Sequence, residues 1–190
     1  MPILDSNEME KRGLSKVAEL MAVAARTAPK TRGVDEIVTA VVSGDEKDVI
    51  ADKMDSLYKD KRNPLTFFER DASNLRDSPL LVLIGVKGTT PKRPENPLNC
   101  GACGYDTCAE FMGAEKRKGE DFVGPLCVWH TVDLGIALGS AAKLAAELNA
   151  DNRLMYSVGV AAKQLGFMDA DIVVGIPISA EGKNIYFDRS

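Results

Sequence analysis

Residues 79–87 read Pro-Leu-Leu-Val-Leu-Ile-Gly-Val-Lys, and their apolar centre runs without interruption from Leu80 to Ile84. A continuous apolar run of this length predicts a strand that is covered on both of its faces. The segments on either side of this run must therefore supply the elements that cover it.

Helical and strand patterns alternate on both sides of this run. Asn7 is the predicted cap of the first helix, with Glu10 in capping-box position. The patterns predict helices over residues 7–27, 45–61, 131–149 and 153–165, and strands over residues 36–42 and 172–178, the last broken at Pro177. This alternation indicates an α/β (α+β) domain, in which a sheet is flanked by helices.

The four cysteines of the chain lie close together, in the spacing C-x2-C-x4-C-x18-C. Clustered thiols in a reducing compartment indicate a metal site rather than disulfides. A cubane cluster takes one thiolate at each of its four iron atoms, and the interleaved glycines let the backbone approach it. We therefore predict a [4Fe-4S] cluster on Cys100, Cys103, Cys108 and Cys127.

Three other readings of the cysteines remain open. Structural zinc is the first of them, although zinc sites usually show two C-x2-C pairs or a mixture of cysteine and histidine. The second alternative is disulfide pairing, and the third is four buried cysteines without a metal.

Residues 88–98 contain three prolines and few apolar groups, which predicts a linker rather than a regular element. The segment 91–128 therefore reads as a small iron–sulfur insert in a domain that is formed by residues 1–90 and 129–190.

Composition excludes some classes of partner. The net charge is −4 and the isoelectric point is about 5.2, so the totals give no basic surface for nucleic acid. No segment approaches the length of apolar sequence that a membrane span needs, and the first residues lack the apolar core of a signal peptide. These features predict a cytoplasmic protein.

The cysteine region resembles a known domain. The sequences NCGACGYDTCAEF at residues 99–111 and GPLC at residues 124–127 are similar to the four-cysteine [4Fe-4S] domain found in subunits of electron-transport complexes, iron-only hydrogenases and corrinoid proteins of acetyl-CoA metabolism. The resemblance covers about 30 residues and implies that all four cysteines ligate one cluster that transfers electrons.

Three further stretches resemble the nitroreductase-like flavin fold: AARTAPKTRG at residues 24–33, DLGIALGSAAKLAAEL at residues 133–148 and DIVVGIP at residues 171–177. This resemblance implies FMN bound at the interface of a homodimer. Five basic residues are candidate phosphate contacts, with solvated surface charges as the alternative: Arg26, Lys30, Arg32, Lys183 and Arg189. Over its full length the chain resembles an uncharacterised family of prokaryotic ferredoxin-domain-containing proteins.

Together these features predict an iron–sulfur redox protein that receives electrons from a redox partner protein or a small-molecule donor. The cluster could be coupled to a bound flavin, which exchanges electrons singly or in pairs. The alternative is a non-enzymatic binding or assembly module that is stapled by iron–sulfur or zinc.

Overall fold

The structure is a computed structural model, and it describes residues 3–60 and 65–187. Within these residues the helices are α1 Ser6–Thr27, α2 Asp45–Asp60, α3 Phe67–Asp77, α4 Cys108–Gly113, α5 Val128–Glu147 and α6 Tyr156–Gln164. The strands are β1 Ile37–Ser43, β2 Leu80–Val86, β3 Arg117–Lys118, β4 Val123–Gly124, β5 Asp151–Asn152 and β6 Ile172–Ser179.

Four of these strands form one antiparallel sheet in the order β1-β2-β6-β5. The apolar run of residues 80–84 lies in β2, between β1 and β6. Ile37 of β1 pairs with Val86 at one end of β2, and Ile178 of β6 pairs with Leu80 at the other end. The predicted central strand is therefore confirmed, and its neighbours on both sides are antiparallel.

Helices cover both faces of this sheet. Leu81 and Leu83 of β2 pack with buried residues of α2, α3 and α6. Val82, Ile84 and Val86 point to the opposite face and pack with α1 and α5. Successive strand residues point to opposite faces, so one apolar run serves two cores. The predicted fold class, a sheet flanked by helices, is confirmed.

Most predicted elements match the structure to within a few residues. Asp5, not Asn7, caps α1, because its side chain accepts a hydrogen bond from Glu8 N at 2.9 Å. The predicted break at Pro177 is wrong. Gly175 exchanges hydrogen bonds with Met155 on the β5 side of β6, and Pro177 faces the same side. Residues 153 and 154, which follow β5, do not pair with β6. No backbone carbonyl opposite Pro177 therefore needs a hydrogen bond from the N–H group that proline lacks.

The sequence patterns did not predict helix α3. It buries Phe68, Asp71, Ala72 and Leu75, which follow one another at helical spacing. The polar Asp71 interrupts the apolar pattern, although its carboxylate is buried and accepts a hydrogen bond from Ser157 Oγ at 2.6 Å. Because one residue of the buried face is an acid, the apolar residues alone do not predict this helix.

The chain between β2 and α5 contributes α4 and the paired strands β3 and β4, and adds no strand to the four-stranded sheet. The division into a domain and an insert at residues 91 and 128 stays a prediction. No helix within residues 3–60 and 65–187 combines the length and the apolar character of a membrane span.

Candidate metal centre

All four cysteines line a single pocket of about 390 Å³, part of which is open to solvent. Cys127 is buried, Cys103 and Cys108 are half-buried, and Cys100 is exposed. The thiols therefore run from the protein interior to the rim of the pocket. The sequence predicted that these four residues converge, and the structure brings them together.

A glycine turn shapes the backbone between Cys100 and Cys103. Gly101 and Gly104 have φ angles of 72° and 87°, in the left-handed region that favours glycine. Gly104 N donates to Gly101 O at 2.9 Å, which closes a turn around Cys103. The two glycines thus let the chain fold back, so that consecutive cysteines reach the same pocket.

Cys108 is the first residue of α4, and a capping box fixes its position. Thr107 accepts a hydrogen bond from Glu110 N at 3.1 Å, and the Glu110 carboxylate reaches back to the backbone N–H of Thr107. Asn99 Oδ1 accepts a hydrogen bond from Cys108 N at 2.9 Å. Local hydrogen bonds, rather than a packed core, therefore hold this cysteine.

Cys127 is the N-cap of the 20-residue helix α5. Its backbone N–H donates to Gly88 O at 2.9 Å, which joins the end of the cysteine region to the loop that follows β2. The positive end of a helix dipole favours a negative charge at this position. The fourth cysteine is thus anchored at the start of α5, while the other three lie between residue 100 and the start of α4.

Trp129 connects the two groups of cysteines. It lies two residues after Cys127, and its indole Nε1–H donates to Cys100 Sγ at 3.3 Å. The pKa of the Cys100 thiol is lowered, mainly by the backbone N–H of Ala102 and then by this indole. These donors stabilise the thiolate, which is the form that binds metal.

This donor set fits an iron–sulfur cluster. The four free thiols that line the pocket provide one ligand for each iron of a four-iron cluster. Structural zinc, which also takes four thiolates, stays the alternative.

A buried ion pair next to this pocket was missed by the sequence analysis. Lys92, which also lines the pocket, contacts Asp133 of α5 with 2.6 Å between Nζ and Oδ2. Their side chains are only 2% and 1% exposed. A lysine among prolines in a predicted linker gives no sign of burial, and only the tertiary structure supplies its partner.

His130 is buried one turn after Cys127. Burial, followed by the nearby charge of Lys92, lowers the pKa of its imidazole to about 4. The ring is therefore neutral at neutral pH.

The candidate phosphate contacts at the end of α1 are already engaged. Arg26 forms an ion pair with Asp35 at 2.6 Å, and Lys30 Nζ donates to Ala25 O at 2.7 Å. The ammonium group of Lys30 thereby satisfies a carbonyl of the last turn of the helix. The role of both residues as phosphate contacts stays a prediction.

Of the other basic candidates, Arg32 lies in the turn that follows Lys30, and Lys183 lies near the other end of α5. Arg32 donates to Asn96 O in the linker. Lys183 is exposed and precedes Asn184, whose side chain contacts Asp151 just beyond the end of α5. The turn around Arg32 lies near the start of that helix, about 20 Å away along its axis. Arg189 lies outside the described residues.

Two sequence comparisons place the chain among related proteins. A family model described as an uncharacterized protein containing a ferredoxin domain matches residues 123–189, which include Cys127 but not the other three cysteines. An uncharacterized protein from Archaeoglobus fulgidus is 46% identical over 188 residues, which cover 99% of this chain and 98% of that protein.

Solved structures show the same fold at low sequence identity. A nitroreductase with bound FMN from Desulfitobacterium hafniense is 15% identical, with a TM-score of 0.55 over 96% of this chain and 81% of that one. An FMN-dependent nitroreductase from Mycobacterium smegmatis, solved with NADPH, is 10% identical, with a TM-score of 0.55 over 88% of this chain and 78% of that one. The fold is therefore nitroreductase-like.

Proposed function

Because the chain belongs to the family of uncharacterised proteins that contain a ferredoxin domain, we propose that it is an iron–sulfur redox protein. In this proposal Cys100, Cys103, Cys108 and Cys127 hold one [4Fe-4S] cluster. The cluster, when bound, supplies one-electron chemistry. The four free thiols suit a reducing compartment, and the cytoplasm is part of the proposal.

The observation that carries this proposal is the convergence of all four cysteines on one pocket. Three of them come from a nine-residue loop and the fourth from the start of α5, so the chain closes around the pocket from two sides. Backbone and indole N–H groups point at Cys100, as is usual for sulfur ligands of clusters.

The exposed position of Cys100 supports electron exchange with an external partner. This cysteine lies at the rim of the pocket, so a redox partner protein or a small-molecule donor can approach that side. Electron transfer requires the partner to come close to the cluster but not to form a bond with it. A pocket that is partly open to solvent allows this approach.

A bound flavin is the second component of the proposal. The nitroreductase-like fold supports it, since solved members of that fold are described as binding FMN. Val132 and Ile136 are exposed apolar residues on α5, and they support a homodimer that packs on this helix. A flavin could take single electrons from the cluster and deliver them in pairs.

The test is anaerobic purification followed by analysis of iron, sulfide, zinc and flavin. The expected result is about four iron and four sulfide per chain, with a broad absorption band near roughly 400 nm that bleaches on reduction. Each cysteine is then changed singly to alanine, which offers no ligand atom. Any of these variants should lose iron, because each thiolate holds one corner of the cluster.

Stoichiometric zinc in a colourless protein would support a stapled binding module and contradict the redox proposal. A full four-iron cluster in Cys127→Ala would refute the assigned ligand set. If freshly purified protein contains iron but no flavin, the protein is an electron carrier. If it also contains FMN, it is a flavin-dependent oxidoreductase.

A further inference from the structure

A buried ion pair lies beside the cysteine pocket, and neither the family description nor the fold assigns it a role. We propose that the Lys92 ammonium raises the reduction potential of the cluster held in this pocket and that Asp133 positions that ammonium. The inference rests on the proposed cluster, and it concerns how readily the cluster accepts an electron.

The pair is held rigidly from several sides. Besides its contact with Asp133, Lys92 Nζ donates to Val34 O at 2.7 Å. Asp133 Oδ1 accepts hydrogen bonds from Thr31 N and Thr31 Oγ1, both at 2.9 Å. Since the two side chains are almost fully buried, their charges are poorly screened by water and act over a longer distance than surface charges do.

Only the lysine of the pair belongs to the wall of the pocket. Lys92 lines the pocket together with the four cysteines, whereas Asp133 does not. The residue that carries the positive charge therefore borders the cluster site, and the proposal gives the field of the pair there a positive sign.

A positive field favours the reduced form of a redox centre. Reduction adds one electron from a one-electron reductant, with no bond made or broken, so the site gains one negative charge. Lys92 stabilises this added charge more than it stabilises the oxidised state. The cation need not touch the cluster, because an electrostatic effect of this kind acts through space.

The experiment measures the reduction potential of the reconstituted full chain by anaerobic titration with dithionite, followed by EPR. Lys92→Met should lower the potential, and Asp133→Asn should raise it, because each leaves the opposite charge alone. At a fixed electrode potential near the midpoint, each change should alter the ratio of reduced to oxidised cluster by about threefold or more.

Lys47→Met is the matched control. Lys47 is also buried, but it lies in α2 on the other face of the sheet and donates to Leu75 O at 2.8 Å. This variant should keep the potential of the wild-type protein. A shift in Lys47→Met equal to that in Lys92→Met, or shifts of the same sign in Lys92→Met and Asp133→Asn, would overturn the inference.

Removing one charge of a buried pair destabilises the fold, so a single variant can fail to fold. The double variant Lys92→Met with Asp133→Asn avoids an isolated charge and keeps an acceptor for Thr31. Its potential should lie below that of the wild type, and an equal or higher potential would overturn the inference. A wild-type protein without iron would instead refute the proposed function, so the two failures are distinct.

Discussion

The central strand and the cysteine segment, defined as residues 99–127, are held by different interactions. In β2 every residue from Leu81 to Val86 is buried, between helices on two faces. Among residues 99–127, all of which the structure describes, only Phe111 and Cys127 are buried. Burial of apolar area stabilises the first region, while turns, a cap and thiols shape the second.

Because different interactions hold them, the two regions should unfold separately. The sheet owes its stability to close packing, which tolerates almost no added volume. The cysteine segment has little apolar area to bury, so the cluster that we propose for its thiols would supply much of its stability. Variants and metal removal can test whether the sheet and the cysteine segment unfold separately, from the whole fold down to a single helical turn.

The largest effect is expected from Gly159→Ala, in the packed region. A Cβ atom at residue 159 of α6 would lie 1.8 Å from the carbonyl oxygen of Val173 in β6. The obstacle is backbone, which cannot rotate away, so helix and sheet would have to separate. We expect a loss of more than about 4 kcal/mol in the free energy of unfolding, seen as little folded protein by circular dichroism.

Gly13→Ala is the control for that variant, since residue 13 is also a helical glycine and is exposed on α1. Apart from its chain neighbours and its own helix backbone, no atom lies within 4 Å of a Cβ added there. Alanine in a helix interior should stabilise the fold by about 0.5–1 kcal/mol. If Gly159→Ala folded as well as this control, the helix–sheet contact would be looser than the structure has it.

A smaller effect on the core is expected from removing iron. Treatment of the anaerobic holoprotein with a chelator should leave the urea midpoint of the sheet nearly unchanged, because residues 99–127 add no strand to it. Limited proteolysis should then cut within the cysteine segment, which loses its thiolate–iron bonds. Loss of all helical signal on chelation would contradict the separation, because the whole domain would then fold only with metal.

The same contrast explains what the sequence could predict. The run of residues 80–84 is a pattern of residue type, and it predicted the central strand that the structure confirms. The four cysteines are a second such pattern; they line one pocket, and their role as cluster ligands stays a prediction. The environment of Lys92 could not be predicted, because its partner is 41 residues away and a proline-rich segment gives no periodic signal. Asp71 is a similar case, because the sequence cannot distinguish a buried acid with a tertiary partner from an exposed one.

For the predicted phosphate contacts, the sequence predicted the position of the residues but not their partners. Arg26 and Lys30 were chosen for their charge near a turn, and the structure does place them there, at the end of α1. Charge alone could not show that Asp35 and the last carbonyls of the helix already engage them. A cation at a helix C-terminus has a structural role that explains it without a ligand.

The smallest effect is expected from Thr107→Ala, which removes one cap in the cysteine segment. The Thr107 hydroxyl accepts the hydrogen bond from Glu110 N that starts α4, so its loss should destabilise that helix by about 1 kcal/mol. Cys108 is the first residue of this helix, and iron release to a chelator should become about fivefold faster. Thr66→Ala is the matched control, because Thr66 caps α3 without a side-chain hydrogen bond and lies outside the cysteine segment. Equal rates of iron release in the two variants would mean that the cap does not help to hold Cys108 in place.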